Sequence, residues 1–99
     1  MLVRTDLPGT QVSVQAAHAA IEAARHLPAG DEHPHLVICG VPNEATLVRE
    51  QDRLESFGLR CFPFYEADRG DELTAFSIGP LTEPSARRRL SRYHLLKGE

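Results

Sequence analysis

Polar and apolar positions follow a helical rhythm most clearly across residues 11–26, QVSVQAAHAAIEAARH. There Gln11, Gln15, His18, Glu22, Arg25 and His26 fall in one stripe about 100° wide. Apart from Ser13, the rest of the cylinder is small or apolar. The pattern predicts a helix buried over most of its circumference, with a thin polar line left open. Its alanines allow a sheet or another helix to approach closely. A Gln–Gln–His register on such a helix either lines a site or satisfies internal hydrogen bonds. Thr10 is the expected N-cap, its hydroxyl accepting from a free backbone N–H of the first turn.

The remaining elements follow from run length and punctuation. Leu2–Asp6 predicts a first strand, broken by Leu7, Pro8 and Gly9. His35–Gly40 is a continuous apolar run, which suits a strand covered on both faces. Asn43 is the N-cap of a helix expected over Glu44–Phe57, with Leu47, Val48, Leu54 and Phe57 inward and Glu50, Asp52, Arg53 and Glu55 solvated. Gly58 suits the left-handed position after that helix. Leu59–Tyr65 predicts a third strand, which Pro63 assigns to an edge or a bulge. An acidic loop, 66–72, leads into a fourth strand over Leu73–Ile78, antiparallel because the link is short. A last helix is expected over Pro84–Tyr93, with Leu95 and Leu96 as a terminal packing segment. The order β-α-β-α-β-β-α predicts one α/β domain over residues 1–99: a mixed four-stranded sheet, at least three strands parallel, flanked by helices.

Composition narrows the classes. A chain of 99 residues, 41% apolar and 25% charged, supports one core but not a large enclosed cavity, so any site is expected in a surface groove. The formal net charge of −3 argues against a uniformly basic nucleic-acid binder. Positive charge is concentrated late, in Arg87, Arg88, Arg89, Arg92 and Lys97. That cluster is either a solvated helix face or a phosphate contact. Cys39 and Cys61 sit in apolar runs without a CxxC partner, which predicts free thiols in a reducing cytoplasm. No signal peptide or membrane span is evident. Dinucleotide, Walker and nucleophile-elbow motifs are absent. His33 and His35 beside Asp31 and Glu32 are metal-capable but lack a second ligand pair.

Ligands of an open parallel sheet bind beyond the carboxyl ends of its strands. Gln11, Gln15 and His18 on the first helix, the loop acids Glu66 and Asp68, and Thr74 are therefore expected around one groove. A carboxylate or imidazole there can accept a proton from water, while Gln or Thr donors hold a developing oxyanion. The competing account of Glu66, Asp68, Asp71 and Glu72 is a solvated turn.

Several segments in order carry a family resemblance: Val3-Arg4-Thr5-Asp6-Leu7, Gln15-Ala16-Ala17-His18-Ala19-Ala20, Val41-Pro42-Asn43-Glu44 and Ile78-Gly79-Pro80. The chain resembles the type 2 peptidyl-tRNA hydrolases over nearly its whole length. The resemblance implies a hydrolase that cuts the ester joining a peptide to the 3′ ribose of tRNA, without a metal cofactor. It implies a catalytic set of Gln15, His18, Glu66 or Asp68, and Thr74. With that activity, the expected substrate-binding residues are Thr10, Gln11, Arg4, Arg69, Arg88 and Arg92. The family's helix-start lysine falls on Gln11, and the first lysine of this chain is Lys97. The chain is closer to a branch with an Asp-Leu-Pro start and a Glu-x-Asp…Glu-x-Thr-Ala loop, here Glu66-Ala67-Asp68 and Glu72-Leu73-Thr74-Ala75. Loss of the lysine charge leaves Arg4 or Arg69 as substitute cations. It also supports an alternative, an inactive member of the same fold that binds RNA, a nucleotide or a protein. A third alternative is a homodimeric scaffold whose polar stripe meets solvent.

Overall fold

Leu2–Arg4 (β1) is buried at all three residues because it is the middle strand of the sheet. The computed structural model describes residues 1–27, 36–79 and 88–96. Around β1 they form α1 (Gly9–His26), β2 (Cys39–Val41), α2 (Glu44–Ser56), β3 (Cys61–Glu66), β4 (Glu72–Ile78) and β5 (His94–Leu95). The sheet order is β3-β4-β1-β2-β5. Only β1 and β2 pair in parallel; β4 is antiparallel to β1 and β3, and β5 is antiparallel to β2. β1, β2 and β3 therefore point the same way, and their carboxyl ends share one sheet edge. The sheet is mixed as expected but has five strands, not four. The extra strand comes from the tail, where β5 pairs Cys39 with Leu95 and Gly40 with His94.

Side-chain alternation builds a layer on each face. Leu2, Cys39, Val41, Leu73 and Phe76 pack with Leu47 and Leu54 of α2. Val3 and Ala75 pack with Ala16 and Ala19 of α1 on the other face. The small side chains of α1 bring its backbone close enough for the buried Ser77 hydroxyl to donate to the Ala19 carbonyl at 2.8 Å. Between the helices, the β3–β4 hairpin carries an irregularity: Phe64 pairs with Ala75 and Tyr65 with Leu73, leaving Thr74 as the inserted residue. The bulge resets the alternation. Leu73 faces α2, while Thr74 joins Ala75 on the α1 side. The hairpin turns through a 3-10 segment, Ala67–Arg69, followed by Gly70 and Asp71 at φ 67° and 62°.

Several sequence expectations are corrected by packing. Thr10 does not cap α1: the helix starts two residues earlier, at Gly9 after Pro8, with no side-chain cap bond. Asn43 does cap α2, accepting from the Thr46 N–H at 2.9 Å. The strand expected over His35–Gly40 is displaced to Cys39–Val41, and Leu36 and Val37 are exposed. In α2, Val48 and Phe57 are exposed, while Glu50, expected in solvent, is buried. Glu50 lies at helical spacing between Leu47 and Leu54, so it faces inward with them. Cys39 is buried and Cys61 half-buried, and both are free thiols. Pro63 lies on the edge strand β3, as expected. Of the expected last helix, 88–90 are helical, whereas 84–87, like His33 and His35, lie outside the described residues. No helix among the described residues is long and apolar enough to cross a membrane.

Candidate functional site

One flank of the polar stripe of α1 runs along the edge strand, while Gln11, Arg25 and His26 remain exposed. Alternate residues of β3 meet it at three points. Gln15 Nε2 donates to Glu66 Oε2 at 2.9 Å. His18 stacks on Phe64, with ring centroids 4.3 Å apart and 5° between planes. His26 stacks on Phe62 at 5.7 Å and 10°. The expectation of a helix buried everywhere except this line holds for Ala16, Ala19 and Ala23 and fails elsewhere: Val14 and Ile21 are exposed, and Gln15 is 1% exposed. An edge strand explains the burial of Gln15, because it offers both aromatic faces and a carboxylate to a polar helix flank.

Gln15 is the hub. Its Oε1 accepts from the Thr74 hydroxyl at 2.7 Å, and its Nε2 also reaches Gln11 Oε1 at 3.4 Å. The orientation of the amide is dictated by its neighbours. The Glu66 carboxylate can only accept, so Nε2 must face it, and Oε1 then requires the hydroxyl donor of Thr74. The bulge supplies that donor by turning Thr74, itself fully buried, toward α1. Glu66 also accepts from the Asp68 backbone N–H at 3.2 Å. The Gln15 hydrogen bond, reinforced by the Asp68 N–H, holds the Glu66 carboxyl below its usual range. Asp68 is exposed on the 3-10 turn, with its side chain at the surface. Gln11 and Thr10 are exposed on the first turns of α1.

Beside this hub stands a charged cluster. Arg4, at the carboxyl end of β1, is 5% exposed. Its Nε and Nη2 donate to the two oxygens of Asp6, each at 2.9 Å, and its Nη1 to Glu72 at 2.7 Å and the Leu73 carbonyl at 3.3 Å. These bonds raise the Arg4 pKa, chiefly through Asp6, and lower those of Asp6 and Glu72. Arg69 approaches Glu72 at 3.7 Å. Both candidate substitute cations are therefore engaged by acids. Glu44, the first residue of α2, accepts from the Leu73 N–H at 2.8 Å and ties α2 to the same edge. The structure thus brings together Gln11, Gln15, His18, Glu66 and Thr74, with Asp68 joined through its backbone and Arg4 and Arg69 alongside through Glu72.

Arg88 and Arg92 are elsewhere. With Arg53 and Arg89 they line a recess of about 440 Å³ at the carboxyl end of α2, against the opposite face of the sheet from α1. The thirteen residues of α2 span roughly 20 Å from the hairpin edge to this end. Beneath the recess, Glu50 pairs with Arg53 at 2.8 Å and Arg92 at 3.6 Å. Burial alone would raise the Glu50 pKa, but the two guanidinium groups bring it below the usual value. Tyr93 accepts from Arg53 at 2.7 Å, and burial raises its own pKa. Sequence patterning finds the Arg88, Arg89 and Arg92 part of this cluster and misses Glu50, Arg53 and Tyr93, although the inward register of Glu50 with Leu47 and Leu54 is a visible signal for it. Among the described residues, no group of three or more His, Cys, Asp or Glu side chains is placed to hold a metal ion. No family model and no curated protein sequence matches the chain.

Proposed function

We propose that the Gln15–Glu66–Thr74 edge hydrolyses the ester between a peptide, or an N-blocked amino acid, and tRNA, in a domain of the type 2 peptidyl-tRNA hydrolase kind. The observation that carries this reading is the buried Gln15 amide, fixed between the Thr74 hydroxyl and the Glu66 carboxylate. A wholly solvated turn would not hold its acid in this way. Glu66, kept ionised by its donors, orients a water. His18, braced flat against Phe64, and the exposed Asp68 are the groups available to accept the water's proton. The hydroxyl adds to the ester carbonyl, the 3′ oxygen of the ribose leaves with a proton, and a carboxylic acid and free tRNA result. Gln11 offers hydrogen bonds to the acceptor end, where the family's lysine would offer charge.

A deacylation assay with N-blocked aminoacyl-tRNA tests this. Turnover by the wild type and its loss in a folded Gln15→Ala, Asp68→Ala double variant is the expected result. Full activity in that variant rules the assignment out. A second reading, an inactive RNA-binding member of the fold, is favoured by the engagement of both Arg4 and Arg69 by acids. Salt-dependent tRNA binding without turnover selects it.

A further inference from the structure

We infer that the recess formed by Arg53, Arg88, Arg89 and Arg92 is a separate phosphate-backbone site for RNA, about one α2 length from the candidate hydrolytic edge. The inference begins with charge. A chain of net charge −3 gathers four guanidinium groups around one recess. Glu50 engages two of them, Arg53 and Arg92. Among the described residues, Arg88 and Arg89 have no carboxylate partner. Among the described residues, one carboxylate against four cations leaves an excess of three positive charges, a mutual repulsion that an anion relieves.

The recess is also pre-organised. The Arg89 guanidinium lies over the exposed Phe57 ring, 3.5 Å from its centroid. Arg53 is positioned by Glu50, by the Tyr93 hydroxyl and by the Arg89 carbonyl at 3.3 Å. Arginine forks held on aromatic faces match phosphate oxygens in geometry as well as charge. The recess is open and, among the described residues, lined by arginine alone, which suits successive phosphates on a chain rather than one enclosed small anion. Its choice of RNA over another polyanion rests on the proposed tRNA substrate; the charge argument stands without it. On that view the two surfaces act at different points of one RNA. The hairpin edge meets the esterified end, and the arginines meet backbone several nucleotides away.

The test is equilibrium binding of a fluorescent RNA hairpin across a salt series, read by anisotropy with no ester present. The recess variant is Arg88→Gln, Arg89→Gln. Its charge-matched control is Arg25→Gln, Arg60→Gln, two exposed arginines on α1 and beside β3. Each phosphate contact contributes ~0.7–0.9 to the slope of log K against log salt. The recess variant should therefore lower the slope by about 1.4–1.8 and weaken binding roughly 25–60-fold near 0.1 M salt. The control should change neither by half as much. Equal losses in both variants, no salt-dependent binding by the wild type, or tighter binding to a DNA hairpin of the same sequence would each overturn the inference. Failure of ester hydrolysis leaves this measurement intact, and failure here leaves the Gln15 edge to be judged by deacylation.

Discussion

Thr74→Val isolates the contact on which the hub depends. Valine keeps the shape of threonine and removes the one hydroxyl that donates to Gln15 Oε1. Both residues are buried, and no other donor to Oε1 is present among the described residues. The variant thus loses a hydrogen bond and strands a buried carbonyl oxygen, which together cost about 2 kcal/mol. For a chain of 99 residues that corresponds to a fall of roughly 8–16 °C in Tm. Gln15→Leu removes the amide itself. Glu66, which loses the Gln15 donor, is at the surface, where water takes its place. In the double variant Thr74→Val, Gln15→Leu the Gln15 carbonyl oxygen that Thr74→Val strands is absent. Urea denaturation of the four proteins should therefore yield a coupling energy of about 1–2 kcal/mol, with the double variant less destabilised than the sum of the singles. Strict additivity, or a Thr74→Val cost below about 0.5 kcal/mol, would show that the hydroxyl does not hold Gln15 in solution.

Two further outcomes follow from the same edge and from α2. Asp6, Glu66 and Glu72 all titrate below their usual range, so each binds its proton more weakly when folded. Stability should be full above their unfolded values near about 4 and should fall as pH drops through the folded ones. Arg4→Met should return Asp6 and Glu72 toward the ordinary range and leave Glu66 low, followed by carboxyl NMR titration; an unmoved Asp6 would contradict the ion-pair account. Asn43→Ala should cost about 1 kcal/mol in urea denaturation by removing the acceptor for the Thr46 N–H, and no loss would mean that solvent serves that N–H equally well.

Much of this arrangement was legible because it is written in local chemistry. Asn43 before a helix, Gly58 after one, Pro63 in an edge strand and a short link into β4 each act within a few residues. The members of the hub were legible from the strand ends and the α1 stripe. The orientation of that stripe was not, because the pattern says which residues share a face and not what that face meets. Edge strand β3 decided it by presenting Phe62, Phe64 and Glu66. Thr74 was legible as a candidate, but the bulge that turns it toward Gln15 is a pairing event between two strands. The charge of Glu50 points to solvent while its register points inward, and its partner Arg92 lies some 40 residues further along. The fifth strand depends on two residue pairs with β2 and has no propensity signal of its own.

The three-point seam between α1 and β3 has a consequence for motion. Gln15, His18 and His26 meet residues spaced along an extended strand, whereas a helix advances about 1.5 Å per residue. No slide of one element past the other keeps all three partners matched. The helix and the hairpin must therefore detach as a unit or not at all. Their amide protons should therefore exchange as one cooperative unit, while β5, tied by two pairs at the sheet's far rim, should open on its own at lower free energy. The protein would breathe from its tail, beside the arginine recess, and keep the Gln15 edge closed until it unfolds.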